Sequence, residues 1–134
     1  MDDDEDQVRR VLAEYCHRYD SGSVDEWADL FTEDGRFVLM GRATVGRPAI
    51  REYMEHAQAG FGRGIHVTSN TVVDLDGDEA GAASNYLYVR PGDDGLVVAA
   101  AGIYRDRLVR DGARWRFRER AISMLGVSGP DADG

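Results

Sequence analysis

LVVAAAGIYRDRLVRDGARWRFRERAISM, residues 96–124, is the stretch on which the fold turns. Two runs of strand composition flank Arg110, Asp111 and Gly112, a triplet whose glycine can supply the positive φ of a tight reversal. The spacing predicts a long strand over Leu96–Val109 and a last strand from Arg114 to about Met124. The same punctuation recurs upstream. Pro91 to Gly95 reads as a turn, Ala80 to Arg90 as a strand, Asp76-Gly77-Asp78 as a turn, and Ile65 to Leu75 as another strand. Inside the 96–109 run, Ala99, Ala100, Ala101 and Gly102 remove side-chain bulk. They permit sheet bending, close approach of a ligand, or plain helix-to-sheet packing.

The N-terminal half has a different period. Val8, Val11, Leu12, Tyr15, Cys16 and Tyr19 recur at helical spacing and predict a first amphipathic helix with a tyrosine-rich buried stripe. Ser21 to Ser23 break it, and Ser23 with Glu26 has the form of a capping box for a second helix, whose apolar face is Trp27, Leu30 and Phe31. Asp34 and Gly35 are read as a turn before a short buried strand, Phe37 to Met40. Gly46 and Pro48 start a third helix, with Ile50, Tyr53, Met54 and Ala57 facing inward, and Gly60, Gly62 and Gly64 loosen the chain after it. Helices first, then a meander of long strands, predict an α+β fold with one curved sheet wrapped around the helices.

Composition limits the function. The 134 residues fit one domain, taken as residues 1–127, with an acidic N-terminal tail over 1–6 and a disordered tail over 128–134. A net charge of -9 argues against a binder of phosphate backbones, so no nucleic-acid partner is expected. No apolar run approaches the roughly 20 residues that span a bilayer, and the acidic start is unlike a signal peptide. No membrane partner and a cytoplasmic location are the expectations. Cys16 is the single cysteine, expected to serve helix packing, and no clustered ligand set suggests a metal. The alternating glycines at 60, 62 and 64 lack the strand-to-helix turn of a phosphate loop, so no cofactor is expected either.

The sequence resembles the SnoaL-like family of the nuclear-transport-factor-2-like superfamily, which includes polyketide cyclases and dehydratases. The resemblance rests on the first helix ending in Tyr19-Asp20, DEWADLFTEDGRF (residues 25–37), VGRPAIREYM (45–54), HVTSN (66–70) and GIYRDRLVRDGARWRFRER (102–120). It implies a cone-shaped α+β barrel around an internal pocket, and a homodimer or homotrimer.

From the residues alone, strict alternation puts His66, Thr68, Asn70 and Val72 on one side of their strand. If that side looks into the cone, Asp20 can orient the His66 imidazole, which would then be the general base or acid. The resemblance implies that Asp20 and His66 form a catalytic dyad, because an aspartate ending helix one and a histidine opening the long strand do so in dehydratases of this kind. It likewise implies cavity roles for Tyr15 and Tyr19, as catalytic donors to a substrate oxygen. Trp27, Phe31, Tyr53, Asn85 and Arg120 are expected to contact the substrate.

Two of these positions depend on strand facing. Ser84 and Asn85 offer one polar side chain to each face. Alternation also joins Arg114, Arg116, Arg118 and Arg120 in a solvated or subunit-facing row, from which Arg120 turns inward only if the strand carries a bulge after Trp115. One departure from relatives is informative. The third long strand has no histidine, which disfavours a two-histidine mechanism. His17 and His56 read as surface residues. The function expected is cofactor-independent acid–base chemistry (dehydration, isomerisation or cyclisation) on a small apolar substrate; the alternative is a binding or assembly module in which the pocket only holds a ligand.

Overall fold

The computed structural model describes residues 3–60 and 63–127; the expected tail over 128–134 and part of the glycine connector lie outside the described residues. Helix α1, Asp4–Asp20, begins earlier than its apolar stripe. Asp3 caps it by accepting the Asp6 amide at 2.8 Å, and Asp4, Glu5 and Asp6 occupy the first turn, where the helix dipole favours negative charge. The acidic segment is therefore not a loose tail from residue 3 onward. Asp4 ties it to the sheet through Arg110 and the Trp115 indole.

Helix α2, Val24–Ala28, is a single short turn that follows Ser23. The capping box is not formed: the Ser23 hydroxyl lies 2.9 Å from the Ser21 hydroxyl instead of capping a backbone amide. Strand β1, Phe31–Leu39, absorbs the expected Asp34-Gly35 turn, which becomes an irregularity between Phe31 and Arg36. Met40 and Gly41, both at positive φ (51° and 84°), reverse the chain into β2, Arg42–Val45, a strand that the periodicity did not reveal. Helix α3, Arg47–Gly60, follows, and then β3 (Ile65–Asp76), β4 (Glu79–Gly92), β5 (Gly95–Asp111) and β6 (Arg114–Met124).

The six strands form one sheet in the order β2-β1-β6-β5-β4-β3, open at both edges. All pairings are antiparallel except β1 with β6, which is parallel, and the β2 to β5 segment between them supplies the long crossover that a parallel pair needs. The helices cover one face, where Val8, Leu12, Tyr15, Trp27, Phe31, Ile50, Met54, Leu108 and Phe117 make the core.

Bulges decide which side chains reach that face. In β3 the register slips between Ser69 and Val72, with Asn70 at φ 54°. His66, Thr68, Thr71 and Val73 therefore turn toward the helices, whereas Asn70 and Val72 are exposed, which corrects the strict alternation. In β5 Ala99 is the extra residue, since Tyr88 pairs with Ala100 and Val89 with Val98. In β6 it is Arg118: Leu108 pairs with Phe117 and Arg107 with Glu119. Beyond that bulge Arg120, Ile122 and Met124 face inward. Among the described residues no helix is long and apolar enough to cross a membrane.

Candidate active site

Cross-strand register builds the site in rows. His66, Tyr88 and Ala100 are paired across β3, β4 and β5; one row deeper come Thr68, Tyr86, Gly102 and Met124; then Ser84, Tyr104 and Ile122; and last Ala82, Asp106 and Arg120. Between these rows and the helices lies a cavity of about 120 Å³. Its wall is mostly aromatic: Tyr15 and Tyr19 from α1, Phe37 from β1, Tyr53 from α3, Tyr86 and Tyr88 from β4, and Tyr104 from β5. Ala57, Leu39, Ala100, Ile122 and Met124 complete it, and His66 is its imidazole.

Asp20 ends α1 beside the start of β3. One carboxylate oxygen lies 2.6 Å from His66 Nδ1 and the other accepts the His66 backbone amide at 2.8 Å. Both side chains are largely buried, at 10% and 15% exposure. A carboxylate can only accept here, so it holds the proton on Nδ1 and leaves Nε2 as the basic nitrogen of the neutral ring. The ring itself sits edge-on to Tyr19 and tilted against Tyr88, with both centroids 4.7 Å away. A carboxylate at a helix C-terminus opposes the helix dipole, so this position needs a partner, and His66 supplies it.

Burial keeps the surrounding phenols protonated. Tyr19 is pushed up to about 12 by desolvation, with Tyr53, Tyr88 and Asp20 adding to the shift. Desolvation carries Tyr15 and Tyr104 well above the ordinary phenol value, against the pull of the Arg120 cation. These groups are therefore hydrogen-bond donors across the working pH range. Cys16 is also raised, to about 11, by burial, which makes it a poor nucleophile.

Arg120 is fully buried. Its Nε and Nη2 donate to the two oxygens of Asp106 at 2.7 and 2.8 Å. Its guanidinium carbon stands 3.8 Å from the Tyr104 ring centre, 4.2 Å from Tyr15 and 4.6 Å from Phe117. Burial alone would disfavour the charge, but the Asp106 carboxylate and its hydrogen bonds outweigh it and hold the guanidinium above its ordinary value. Among the described residues, two buried donors, Arg120 Nη1 and Trp27 Nε1, have no hydrogen-bond acceptor. Both belong to groups packed on Tyr15, where an aromatic face is a weak substitute.

The structure thus brings His66, Tyr15, Tyr19 and Tyr53 to the wall of one cavity, with Asp20 bonded to His66 but not itself on the wall. It separates the others. Asn85 points to the opposite face of the sheet, because Ser84 takes the inward position and bonds Thr71 at 3.1 Å. Trp27 and Phe31 are wholly buried beneath the cavity and do not line it, since Tyr15 and Phe37 lie between. Arg120 is inside yet behind Tyr15 and Tyr104 rather than on the wall, and the arginine row is broken by the Arg118 bulge. Tyr86, Tyr88 and Tyr104 were missed as site residues. Tyr86 and Tyr88 share a facing with Ser84, so the signal was present once that face was known to be inward.

The family model described as a SnoaL-like domain matches residues 3–121. A protein of unknown function from Mycobacterium tuberculosis is similar, with 32% identity over 90% of this chain and 71% of the other, at a TM-score of 0.84. An NTF2-like protein with a cystatin-like fold from Novosphingobium aromaticivorans has 25% identity over 93% of this chain and 84% of its own, at a TM-score of 0.83. A protein from the same organism described as a putative scytalone dehydratase shares the fold at 22% identity, covering 90% of this chain and 83% of its own, at a TM-score of 0.78. No curated protein matches the sequence.

Proposed function

The chain belongs to the SnoaL-like family, and from that premise we propose that it is a cofactor-independent acid–base enzyme acting on a small, apolar, oxygen-bearing substrate. The observation that carries this reading is the 2.6 Å contact between Asp20 and His66 Nδ1 at the wall of an aromatic cavity. With Nδ1–H committed to the carboxylate, Nε2 can take a proton from a carbon next to a carbonyl. The charge that develops on the carbonyl oxygen then needs a donor, which Tyr15 or Tyr19 supplies as a protonated phenol. Loss of water, migration of a double bond and ring closure all share this first step. The cavity volume of about 120 Å³ suits a molecule with a single ring.

A panel of small cyclic β-hydroxyketones in D2O tests the proposal, with NMR following deuterium entry beside the carbonyl and appearance of the enone. His66→Gln is expected to lower the rate on the order of 10³-fold while ligand affinity stays within a few-fold. Exchange at the wild-type rate in that variant, or no exchange with any member of the panel, would sink the reading.

One observation favours a second reading, a binding or assembly module. Asp20 also accepts the His66 amide, which staples the end of α1 to the start of β3. If holding α1 to β3 were the dyad's whole role, Asp20→Ala, which removes both contacts, would cost fold stability and ligand affinity together.

A further inference from the structure

Tyr19 and Asp20 are the last two residues of α1, and the final carbonyls of a helix have no amide of their own helix to accept from. The chain satisfies these carbonyls in different ways. That of Arg18 accepts the Ser23 amide at 3.0 Å and the Ser21 hydroxyl at 3.2 Å, both from the turn that follows. That of Tyr19 accepts the Gly22 amide at 3.0 Å and, from 39 residues away in sequence, Nε2 of Gln58 at 2.8 Å.

Helical spacing in α3 explains the reach. Tyr53 and Ala57, four residues apart, stand on the cavity wall, and Met54 and Gln58 occupy the next stripe. Met54 is fully buried, and its sulfur lies 3.8 Å from the same Nε2, so the amide nitrogen sits between two acceptors. Because the closer partner is a carbonyl, the nitrogen of the side-chain amide and not its oxygen must occupy this place. The bond joins the helix that supplies part of the wall to the residues that carry the site. The Tyr19 ring lies against His66, and Asp20 bonds both Nδ1 and the backbone amide of His66.

A 2.6 Å contact between a carboxylate and an imidazole N–H loses strength steeply when the carboxylate drifts. Without Gln58 the Tyr19 carbonyl keeps the Gly22 amide alone, and Gly22, at φ 75°, is the freest kind of backbone. Fraying of that last turn moves Tyr19 and Asp20 together. We propose that Gln58 is a positioning residue for the dyad: its donation to the Tyr19 carbonyl holds the end of α1 where Asp20 meets His66. The effect on turnover rests on the acid–base reading above; the effect on the Asp20–His66 contact does not.

Two variants of the full chain test this. Gln58→Met keeps the length of the side chain and removes the donor, whereas Gln58→Lys keeps a donor, and its cation is favoured at a helix C-terminus. Each is followed by turnover on the ketone panel, by the proton resonance of His66 Nδ1–H and by the urea midpoint. Gln58→Met is expected to lower kcat on the order of tenfold with KM within about twofold. Its Nδ1–H resonance is expected to move upfield as the contact with Asp20 lengthens, and Gln58→Lys to keep both kcat and resonance near the wild type. An unmoved resonance in Gln58→Met, whatever its urea midpoint, overturns the assignment. So does an unchanged kcat in that variant, or equal impairment of both variants, which would make the effect one of fit and not of donation. A wild type that converts no member of the panel sinks the acid–base reading alone, because the resonance still decides whether Gln58 holds the dyad.

Discussion

Asp20 does two things with one carboxylate, and the two are separable by a single atom change. Asn at this position can still accept the His66 amide, but its NH₂ group would face Nδ1 and force the ring proton to Nε2. The basic nitrogen would then be Nδ1, occupied by the Asn amide and no longer free to take a substrate proton. Asp20→Asn is expected to fold normally and to lose turnover on the order of 10³-fold. Turnover in the dehydration assay and the ¹⁵N shifts of His66 check both halves. Normal turnover with the tautomer reversed would show that Nε2 is not the base.

Among the elements, the long strands matter most where they are irregular. Strict alternation would leave Arg120 outside and turn Asn70 inward; the extra residue in β6 and the one in β3 reverse both. Gly102 shows how tightly the bent strands approach. A Cβ added there would stand 1.9 Å from the Ser123 carbonyl oxygen and 2.8 Å from the Tyr86 ring. One contact is backbone, so relaxation must move β6 as well as a side chain. Gly102→Ala is expected to cost about 2 kcal/mol or more, read as a fall in the urea midpoint at unchanged slope. An unaltered midpoint would mean that the strands are not held so close.

At the level of the whole molecule, the aromatic interior makes stability depend on high pH. Tyr19 titrates at about 12 in the folded protein against 10.0 for a free phenol, and Tyr15 and Tyr104 are raised further. A raised folded value means that the native state holds the proton more tightly than the unfolded chain. The contribution is complete below pH 10 and disappears as pH rises through the folded values. Alkaline unfolding is therefore expected above about pH 10, with tyrosinate absorption appearing together with loss of near-UV circular dichroism. Free titration of all six tyrosines before unfolding would contradict this. The face of the sheet away from the helices exposes Ile65, Val67, Leu87 and Val98. A second or third copy of the chain is the proposed cover, and sedimentation equilibrium giving a monomer at micromolar concentration would rule it out.

Local signals in the sequence determined the α+β class, the three helices and the four long strands, because hydrophobic period and glycine turns are properties of neighbouring residues. The pairing of Asp20 with His66 was suggested by resemblance; its distance required the fold. Strand β2 escaped because four residues are too few for a period. Which side chains enter the cavity was decided only in three dimensions: one extra residue flips everything after it, and bulges are fixed by how strands bend around the helices rather than by the residues at the bulge. That is why Arg120 and Tyr104 were absent or ambiguous in the linear reading and yet meet on one another's faces in the folded chain.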